Sequence, residues 1–319
     1  MSRRWWVVVG LAFVAGAGWV AAKDRGGAII APMAARSLLL DVTAVGERLV
    51  AVGDRGHILI SADRGASWRQ VPAPVDVMLT SVAFADGSVG CAVGHDSVIL
   101  RTSDGGESWL LVHSDPETES PLFDVAFVSP TQGFAIGAYG LFLESRDGGQ
   151  SWESRTIFDG DAHLHHLSRT ADGRLYVAAE QGIVLTSDDG GESWKELPSP
   201  YEGSLFGTLP LDGRALLLFG LRGHAYRSDD GGANWLEVRT GVDAMLTSAC
   251  RLADGRIVLV GLAGSVLVSD DGGRSFALQQ QRDRLGIASA VPTSETSIVV
   301  AGEFGVRTQQ LPAGGAAAR

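Results

Sequence analysis

Cysteine is nearly absent from this chain, and acidic residues outnumber basic ones. Cys91 and Cys250 are the two cysteines, each in an apolar stretch, and no cysteines or histidines show metal-ligand spacing. We therefore expect two buried thiols and no disulfide framework. With 26 Lys and Arg against 37 Asp and Glu, the net charge is −11, and no basic run occurs. Nucleic acid and anionic lipid are therefore not expected partners, because their phosphates require a basic face.

The longest uncharged run lies at the N-terminus. Arg3 and Arg4 precede an uncharged stretch from Trp5 to Ala22 that ends in small residues. This pattern is typical of a bacterial export signal, and the stretch is barely long enough for a membrane anchor. We expect residues 1–22 to be a signal peptide or anchor. The remainder is then exported, either periplasmic or held at the inner membrane facing the periplasm, with no other membrane contact.

Sustained helical periodicity is also absent, and a glycine-rich repeat takes its place. Six near-copies of an octapeptide such as Ser-Asp-Asp-Gly-Gly-Glu-Ser-Trp recur along the chain. A period of about 40 residues, with short apolar strands between turns, indicates a propeller. The octapeptides end at Trp68, Trp109, Trp152, Trp194, Trp235 and Phe276.

Each repeat predicts one blade of four antiparallel strands. Turns such as Asp172-Gly173 separate the first two strands, and the third strand runs into the octapeptide. Seven units predict an all-β, seven-bladed β-propeller over residues 23–311. The last unit has three strands, so we expect a strand at about residues 28–33 to close it, and residues 312–319 to be a disordered tail. The units begin near Leu39, Leu79, Leu122, Leu164, Leu205, Leu246 and Leu285.

The octapeptide resembles the Asp-box of the BNR repeat. The resemblance implies that the aspartate accepts hydrogen bonds across the turn and that the aromatic residue packs between blades. Paired acids such as Asp188-Asp189 could instead serve acid–base chemistry or bind Ca²⁺, but six equivalent copies around a rim favour a structural role. The predicted structural residues are Asp63, Trp68, Asp104, Trp109, Asp147, Trp152, Asp189, Trp194, Asp230, Trp235, Asp271 and Phe276.

Strand alternation assigns the loops to two faces. The Asp-boxes share one face with the Asp-Gly turns. The opposite face, here called the tip face, carries the tips between second and third strands and the connectors between blades. Its sequence varies from blade to blade, as in scaffolds whose loops carry specificity. The predicted partner-binding residues are Asp54, Arg55, His95, Asp96, Tyr139, Glu180, Arg222, Glu303 and Phe304.

Catalytic patterns are weak. Alternation places His163 and His165 on one side of a strand and His166 on the other, at the rim of the central channel, and two histidines make a poor zinc site. Asp41 and Asp124 form a conceivable carboxylate pair at this rim, two blades apart, and a glycosidase needs two facing carboxylates. We predict no catalytic residue, no metal and no cofactor, with a glycan-binding or glycan-cleaving propeller (glycosidase or sialidase type) as the alternative.

The repeat unit resembles that of the photosystem II assembly and stability factors. The shared pattern, Leu-x-Asp/Ser-Val-x-Phe, then Gly-x-Ala-Val/Ile-Gly and the Asp-box, is clearest from Leu79 to Trp109 and from Leu122 to Trp152. The resemblance covers about residues 28–311 and implies an exported, monomeric, non-catalytic propeller, of a type also found in non-photosynthetic bacteria. It implies a protein partner and an assembly or accessory role for a membrane complex. An accessory protein of a transporter is a further alternative. Photosynthetic members carry an arginine-rich patch, and the sequence shows no equivalent cluster.

Overall fold

A computed structural model describes residues 26–312, which form seven antiparallel sheets arranged in a ring. This is the seven-bladed propeller that the repeats predict. Six blades have four strands in sequence order and the seventh has three. The predicted export segment 1–22 and the tail after Pro312 lie outside the described residues. Between residues 26 and 312, no helix is long and apolar enough to cross a membrane.

The four strands of a blade run from the central channel to the outer rim. The first strands are Leu39–Val45, Leu79–Phe84, Leu122–Phe127, Leu164–Arg169, Leu205–Pro210, Leu246–Arg251 and Ile287–Pro292. The second strands are Arg48–Gly53, Gly90–Gly94, Gly133–Gly137, Leu175–Ala179, Leu216–Gly220, Ile257–Gly261 and Ser297–Gly302. The third strands are Ile58–Ser61, Ile99–Thr102, Phe142–Ser145, Val184–Ser187, Ala225–Ser228, Ser265–Ser269 and Gly305–Gln310. The fourth strands are Arg69–Val71, Leu110–His113, Glu153–Ser154, Lys195–Glu196, Leu236–Val238 and Ala277–Gln280.

Buried apolar side chains fill the spaces between neighbouring blades. Within the described residues, one apolar cluster lies at each of the seven interfaces. At the seam between blades seven and one, Leu59, Val299 and Ala301 pack together and are almost fully buried. Cys91 and Cys250 are buried free thiols in two other interfaces. Because apolar burial is the main favourable term in folding, these interfaces hold the ring together.

The predicted closing strand is wrong. Residues 28–33 form no strand, and within residues 26–312 blade seven has no fourth strand. The Gln70 side chain accepts a hydrogen bond from the Ala31 N–H at 2.8 Å and donates one to the Ile29 carbonyl at 3.0 Å. Pro32 has no N–H to donate. The backbone groups that a ladder would use are therefore occupied or missing.

Residues 26–36, here called the strap, close the ring by packing. The Ala28 N–H donates to the Ala73 carbonyl at 2.9 Å, beside blade one. A single 3₁₀ turn, Ala34–Arg36, then leads to the first strand. Ala34 is buried with apolar side chains of blades one and seven. The strap thus seals the seam without extending a sheet.

A β-bulge follows the opening residue of every first strand. In blade one, Leu39 pairs with Gly53 and Asp41 with Val52, so Leu40 is an extra residue. The same shift recurs in the other six blades. Such a bulge turns two consecutive side chains toward the same side. In blade seven the buried opening residue is Ile287; Leu285, the sequence-based choice, is 38% exposed.

Candidate functional site: the tip face and the channel mouth

The bulged residues surround the mouth of the central channel on the tip face. The channel encloses a cavity of about 260 Å³, and first strands of all seven blades contribute side chains to it. An outer ring is formed by the bulged residues and an inner ring by the residues that follow them. The outer ring is Leu40, Thr80, Phe123, His165, Phe206, Thr247 and Ala288. The inner ring includes Asp41, Ser81, Asp124, His166, Ser248 and Ser289.

Asp41 ties blade one to both of its neighbours. Its Oδ2 accepts the Val82 N–H of blade two at 2.9 Å, and its Oδ1 accepts the Ser289 hydroxyl of blade seven at 2.7 Å. Burial raises the pKa of Asp41 above its ordinary value, and the nearby charge of Asp124 acts in the same direction, although the hydrogen bonds oppose both. The Asp41 carboxylate therefore links blade one to blade two and, across the ring seam, to blade seven.

Asp124 does the same for blade three. Its Oδ2 accepts the Leu167 N–H of blade four at 2.8 Å, and its Oδ1 accepts the Ser81 hydroxyl of blade two at 2.8 Å. Ser81 also lies 3.3 Å from Asp41. The structure thus brings the two predicted acids to one channel, where each of their four oxygens accepts a hydrogen bond from a neighbouring blade.

The three histidines are arranged differently from the prediction. His165 and His166 both line the channel, because the bulge at His165 breaks the alternation that placed them on opposite sides. His163 lies nearer the tips, where its Nδ1 accepts the Tyr139 N–H at 3.1 Å. Among residues 26–312, no three His, Cys, Asp or Glu side chains gather as metal ligands would.

The tips share one backbone conformation but differ in side chain. In six blades the tip is a 3₁₀ turn. Its middle residue is not glycine but has a φ between 54° and 57°. This left-handed conformation costs about 1–2 kcal/mol per residue, and such strain tends to cluster at functional sites. The middle residues are Arg55, Asp96, Tyr139, Gln181, Arg222 and Ala263. All nine predicted partner-binding residues lie in these turns or in the blade-seven turn that contains Glu303 and Phe304.

Two of the predicted acids accept hydrogen bonds from the connectors that lead into their own blades. Glu303 accepts the Gly286 N–H at 3.0 Å. Glu180 accepts the His163 N–H at 3.4 Å and lies 3.8 Å from the His163 ring. Both carboxylates therefore position connectors, and this role uses part of their capacity to bind a partner.

Other predicted residues are more available. Tyr139 is 65% exposed, and the Arg55 side chain is 81% exposed with only a 3.5 Å contact to Asp54. His95 and Arg222 are also exposed. These side chains project from turns of one repeated backbone conformation, as expected of a docking face built on a regular scaffold.

An arc of aromatic rings borders one side of the channel mouth. Tyr139 meets His163 edge-on with ring centroids 4.8 Å apart, and His163 lies 5.7 Å from Phe123. Phe123 lies 5.8 Å from His165, which lies 4.6 Å from Phe206. We call these five residues the aromatic arc. Phe206 is not among the residues predicted from the sequence; its signal there is its position directly after Leu205, the opening leucine of blade five.

The Asp-box face has a single, repeated chemistry. In the second box, Asp104 accepts the Ser108 hydroxyl at 2.6 Å and the Ser108 N–H at 2.9 Å. Thr102 donates to the same carboxylate at 2.8 Å and accepts the Gly106 N–H at 2.9 Å. These bonds, the Ser108 hydroxyl foremost, lower the pKa of Asp104 to about 2. The other five boxes repeat the pattern, with Asn234 in place of serine in the fifth.

The box aromatics pack toward the preceding blade. Trp109 is 5% exposed, lies in the cluster between blades one and two, and meets Phe84 edge-on at 6.2 Å. The other five aromatics are half-buried in the corresponding interfaces. Each box thus combines a hydrogen-bonded turn with an aromatic side chain that packs at a blade interface.

Arginines on the Asp-box face are paired with acids. Arg227, Arg251 and Arg274 line a cavity of about 140 Å³ between blades five and six. Arg251 donates two hydrogen bonds to Asp212, at 2.7 and 2.6 Å, and Arg227 contacts Asp229 at 2.5 Å. This cluster has no local sequence pattern, because its arginines come from two strands and an Asp-box turn that are far apart in the chain.

Comparison with known proteins gives the same fold and a family. A curated relative, the chloroplast photosystem II stability/assembly factor HCF136 of Cyanidioschyzon merolae, is 38% identical over 80 residues. That match covers 23% of this chain and only 18% of the relative. A solved structure of YCF48 bound to D1 peptide matches with a TM-score of 0.71 at 20% identity, covering 92% of this chain and 98% of that one.

The fold alone does not select a function. Virginiamycin B lyase from Staphylococcus aureus matches with a TM-score of 0.76 at 10% identity, covering 87% of this chain and 96% of that one. A lyase and an assembly factor thus share this architecture. The family model described as "Photosynthesis system II assembly factor YCF48" matches residues 111–282. Because this match spans more than half of the 319 residues, the chain belongs to the YCF48 family.

Proposed function

We propose that this protein is a non-catalytic binding platform that assists the assembly of a membrane protein complex, and that its tip face holds the partner. Membership of an assembly-factor family supports the assembly role. A relative of the same fold was solved with a D1 peptide bound, which supports a protein partner. The observation that carries the proposal is the set of tip turns that share one backbone conformation and expose different side chains, such as Arg55, Tyr139 and Gln181.

The state of the channel carboxylates also favours binding over hydrolysis. A glycosidase requires one carboxylic acid and one carboxylate directed at the substrate. Here Asp41 and Asp124 are directed at backbone N–H and hydroxyl groups of neighbouring blades. Neither the glycosidase nor the transporter alternative has an observation of its own in favour.

We further propose that the protein acts outside the cytoplasm. The basis is the N-terminal sequence, in which Arg3 and Arg4 precede an uncharged stretch. A tip face that assembles an exported or membrane-embedded complex would then lie on the same side of the membrane as the parts it meets. Fractionation of the native host, with the protein found in the periplasmic or membrane fraction, is the expected result; a cytoplasmic location contradicts it.

Charge reversal tests the tip face directly. Arg55→Glu with Arg222→Glu changes two exposed tips by four charge units in total without touching the interfaces. We expect several-fold less recovery of membrane-complex subunits in a pull-down from the native host, measured by quantitative mass spectrometry, with an unchanged Tm.

The matched control places the same change on the opposite face. Arg64→Glu with Arg274→Glu alters Asp-box side chains that are 63% and 60% exposed. This double variant should recover partners normally. Equal recovery by both variants and the unaltered protein would refute the docking role of the tip face.

A further inference from the structure

The channel mouth is an aromatic pocket that is open on the tip face. Phe123, His165 and Phe206 are consecutive members of the outer ring, in blades three to five, and each is half-buried. Their rings are held by contacts of 5.8 and 4.6 Å with one another. His165 is further fixed by a 3.0 Å hydrogen bond between its Nδ1 and the Leu205 carbonyl. The pocket is therefore already formed before any ligand enters.

The charged side chains that line this pocket are all acidic. Asp41 and Asp124 lie one residue deeper than the rings, and the residues lining the channel in the described chain include neither lysine nor arginine. Burial lowers the pKa of His165, so this ring is neutral at neutral pH and adds no opposing charge. Hydroxyls of Ser248 and Ser289 complete the wall as hydrogen-bond acceptors.

Aromatic rings that line a cavity together with carboxylates are complementary to an organic cation. Ring faces attract ammonium and guanidinium groups within about 6 Å of the ring centroid. A cavity of about 260 Å³ has room for the side chain of one lysine or arginine. An uncharged apolar side chain would gain from the rings but would leave the acidic floor without a counter-charge.

We propose that the channel mouth takes up a single lysine or arginine side chain from a segment of the protein partner. This inference rests on the proposed function, since it places the anchor point of the docked partner at the centre of the tip face. The aromatic arc guides the apolar stem of that side chain, and its charged end points toward Asp41 and Asp124. Exposed tips around the mouth then contact the flanking residues of the segment.

Small probes test this chemistry in the full chain. N-acetyl-lysine methylamide, N-acetyl-arginine methylamide and, as the uncharged match, N-acetyl-norleucine methylamide are titrated while the histidine ring protons are followed by NMR at neutral pH. We expect saturable shifts of the His165 resonance with at least one of the two cationic probes and none with norleucine. Equal shifts with norleucine, or no shift with any probe, would overturn the proposal.

A pair of variants assigns the binding to the arc. Phe206→Leu keeps an apolar side chain but removes a ring face, and should weaken the cationic probe about five-fold. Phe127→Leu removes an aromatic ring from the Asp-box end of the first strand of blade three and should leave the affinity unchanged. Both variants need an unaltered Tm, and unchanged binding by a folded Phe206→Leu variant counts against the arc.

The two proposals fail in different ways. If the probes do not bind but the Arg55 and Arg222 reversals still abolish partner recovery, the channel inference is wrong and the tip-face function stands. If the probes bind and Phe206→Leu weakens them, while tip reversals leave recovery intact, the tip-face function is wrong and the cation pocket stands.

Discussion

The pKa values of the Asp-box aspartates and of Asp41 in the channel are shifted in opposite directions. In the boxes, an aspartate sits among donors, and the pKa of Asp189 falls to about 2, first through the Ser193 hydroxyl and then the Ser193 N–H. In the channel, burial raises the pKa of Asp41. The sequence distinguishes the two because the box motif carries its own donors at fixed spacing. Apart from the adjacent Val42 N–H, the donors to Asp41 come from blades two and seven, so the local sequence does not show them.

The box carboxylates should make stability fall in acid. An aspartate in an unfolded chain has a pKa of about 3.9, so the lowered pKa of Asp189 stabilises the fold fully above about pH 4 and loses this effect as the pH falls toward 2. Asp189→Ala should therefore lower the Tm at pH 7, and the gap to the unaltered protein should narrow below pH 4. Thermal scans from pH 7 to pH 3 measure this, with Asp243→Ala in an exposed connector as the control. A gap that does not change with pH would contradict the assignment.

At the scale of elements, periodicity predicts strands but not their irregularities. The opening leucines, the turns and the Asp-boxes indicate nearly every strand, because each has a local pattern. The bulge after the opening residue has none: Leu40, Thr80 and His165 share a position but not a residue type. The candidate site therefore could be predicted at the level of the tip face, while the aromatic arc could not.

In the blade-four tip turn, a glycine packs directly against the backbone of the next connector. Comparing Gly182 with Gly190 separates the cost of this close contact from the cost of a left-handed φ. Gly182 and Gly190 both have φ of +74°, but a Cβ on Gly182 would lie 1.9 Å from the Tyr201 carbonyl oxygen, whereas one on Gly190 would meet nothing within 4 Å. Gly190→Ala should cost about 1–2 kcal/mol for the left-handed alanine. Gly182→Ala should cost clearly more, because the connector must move. Urea unfolding gives both values, and equal costs would show that the connector yields freely.

For the whole molecule, the sequence indicates the number of blades but not how the ring closes. Counting repeats gives seven units, and the incomplete last unit suggests a missing strand. The strap closes the seam instead, since Gln70 engages the backbone of Ile29 and Ala31 and Ala34 enters the apolar interface. This outcome depends on contacts between residues far apart in the chain, which repeat spacing does not encode.

Ring closure can be tested with one hydroxyl. Ser289 bridges the seam by donating to Asp41 at 2.7 Å and accepting the Val42 N–H at 3.4 Å. Ser248 occupies the same strand position in blade six, and its side chain makes no hydrogen bond to another residue of the described chain. Ser289→Ala should lower the free energy of unfolding by about 1–2 kcal/mol, and Ser248→Ala should change it little. If the two variants unfold at the same urea concentration, the hydrogen bond between Ser289 and Asp41 contributes nothing to ring closure. The apolar seam and the strap alone then hold blade seven to blade one.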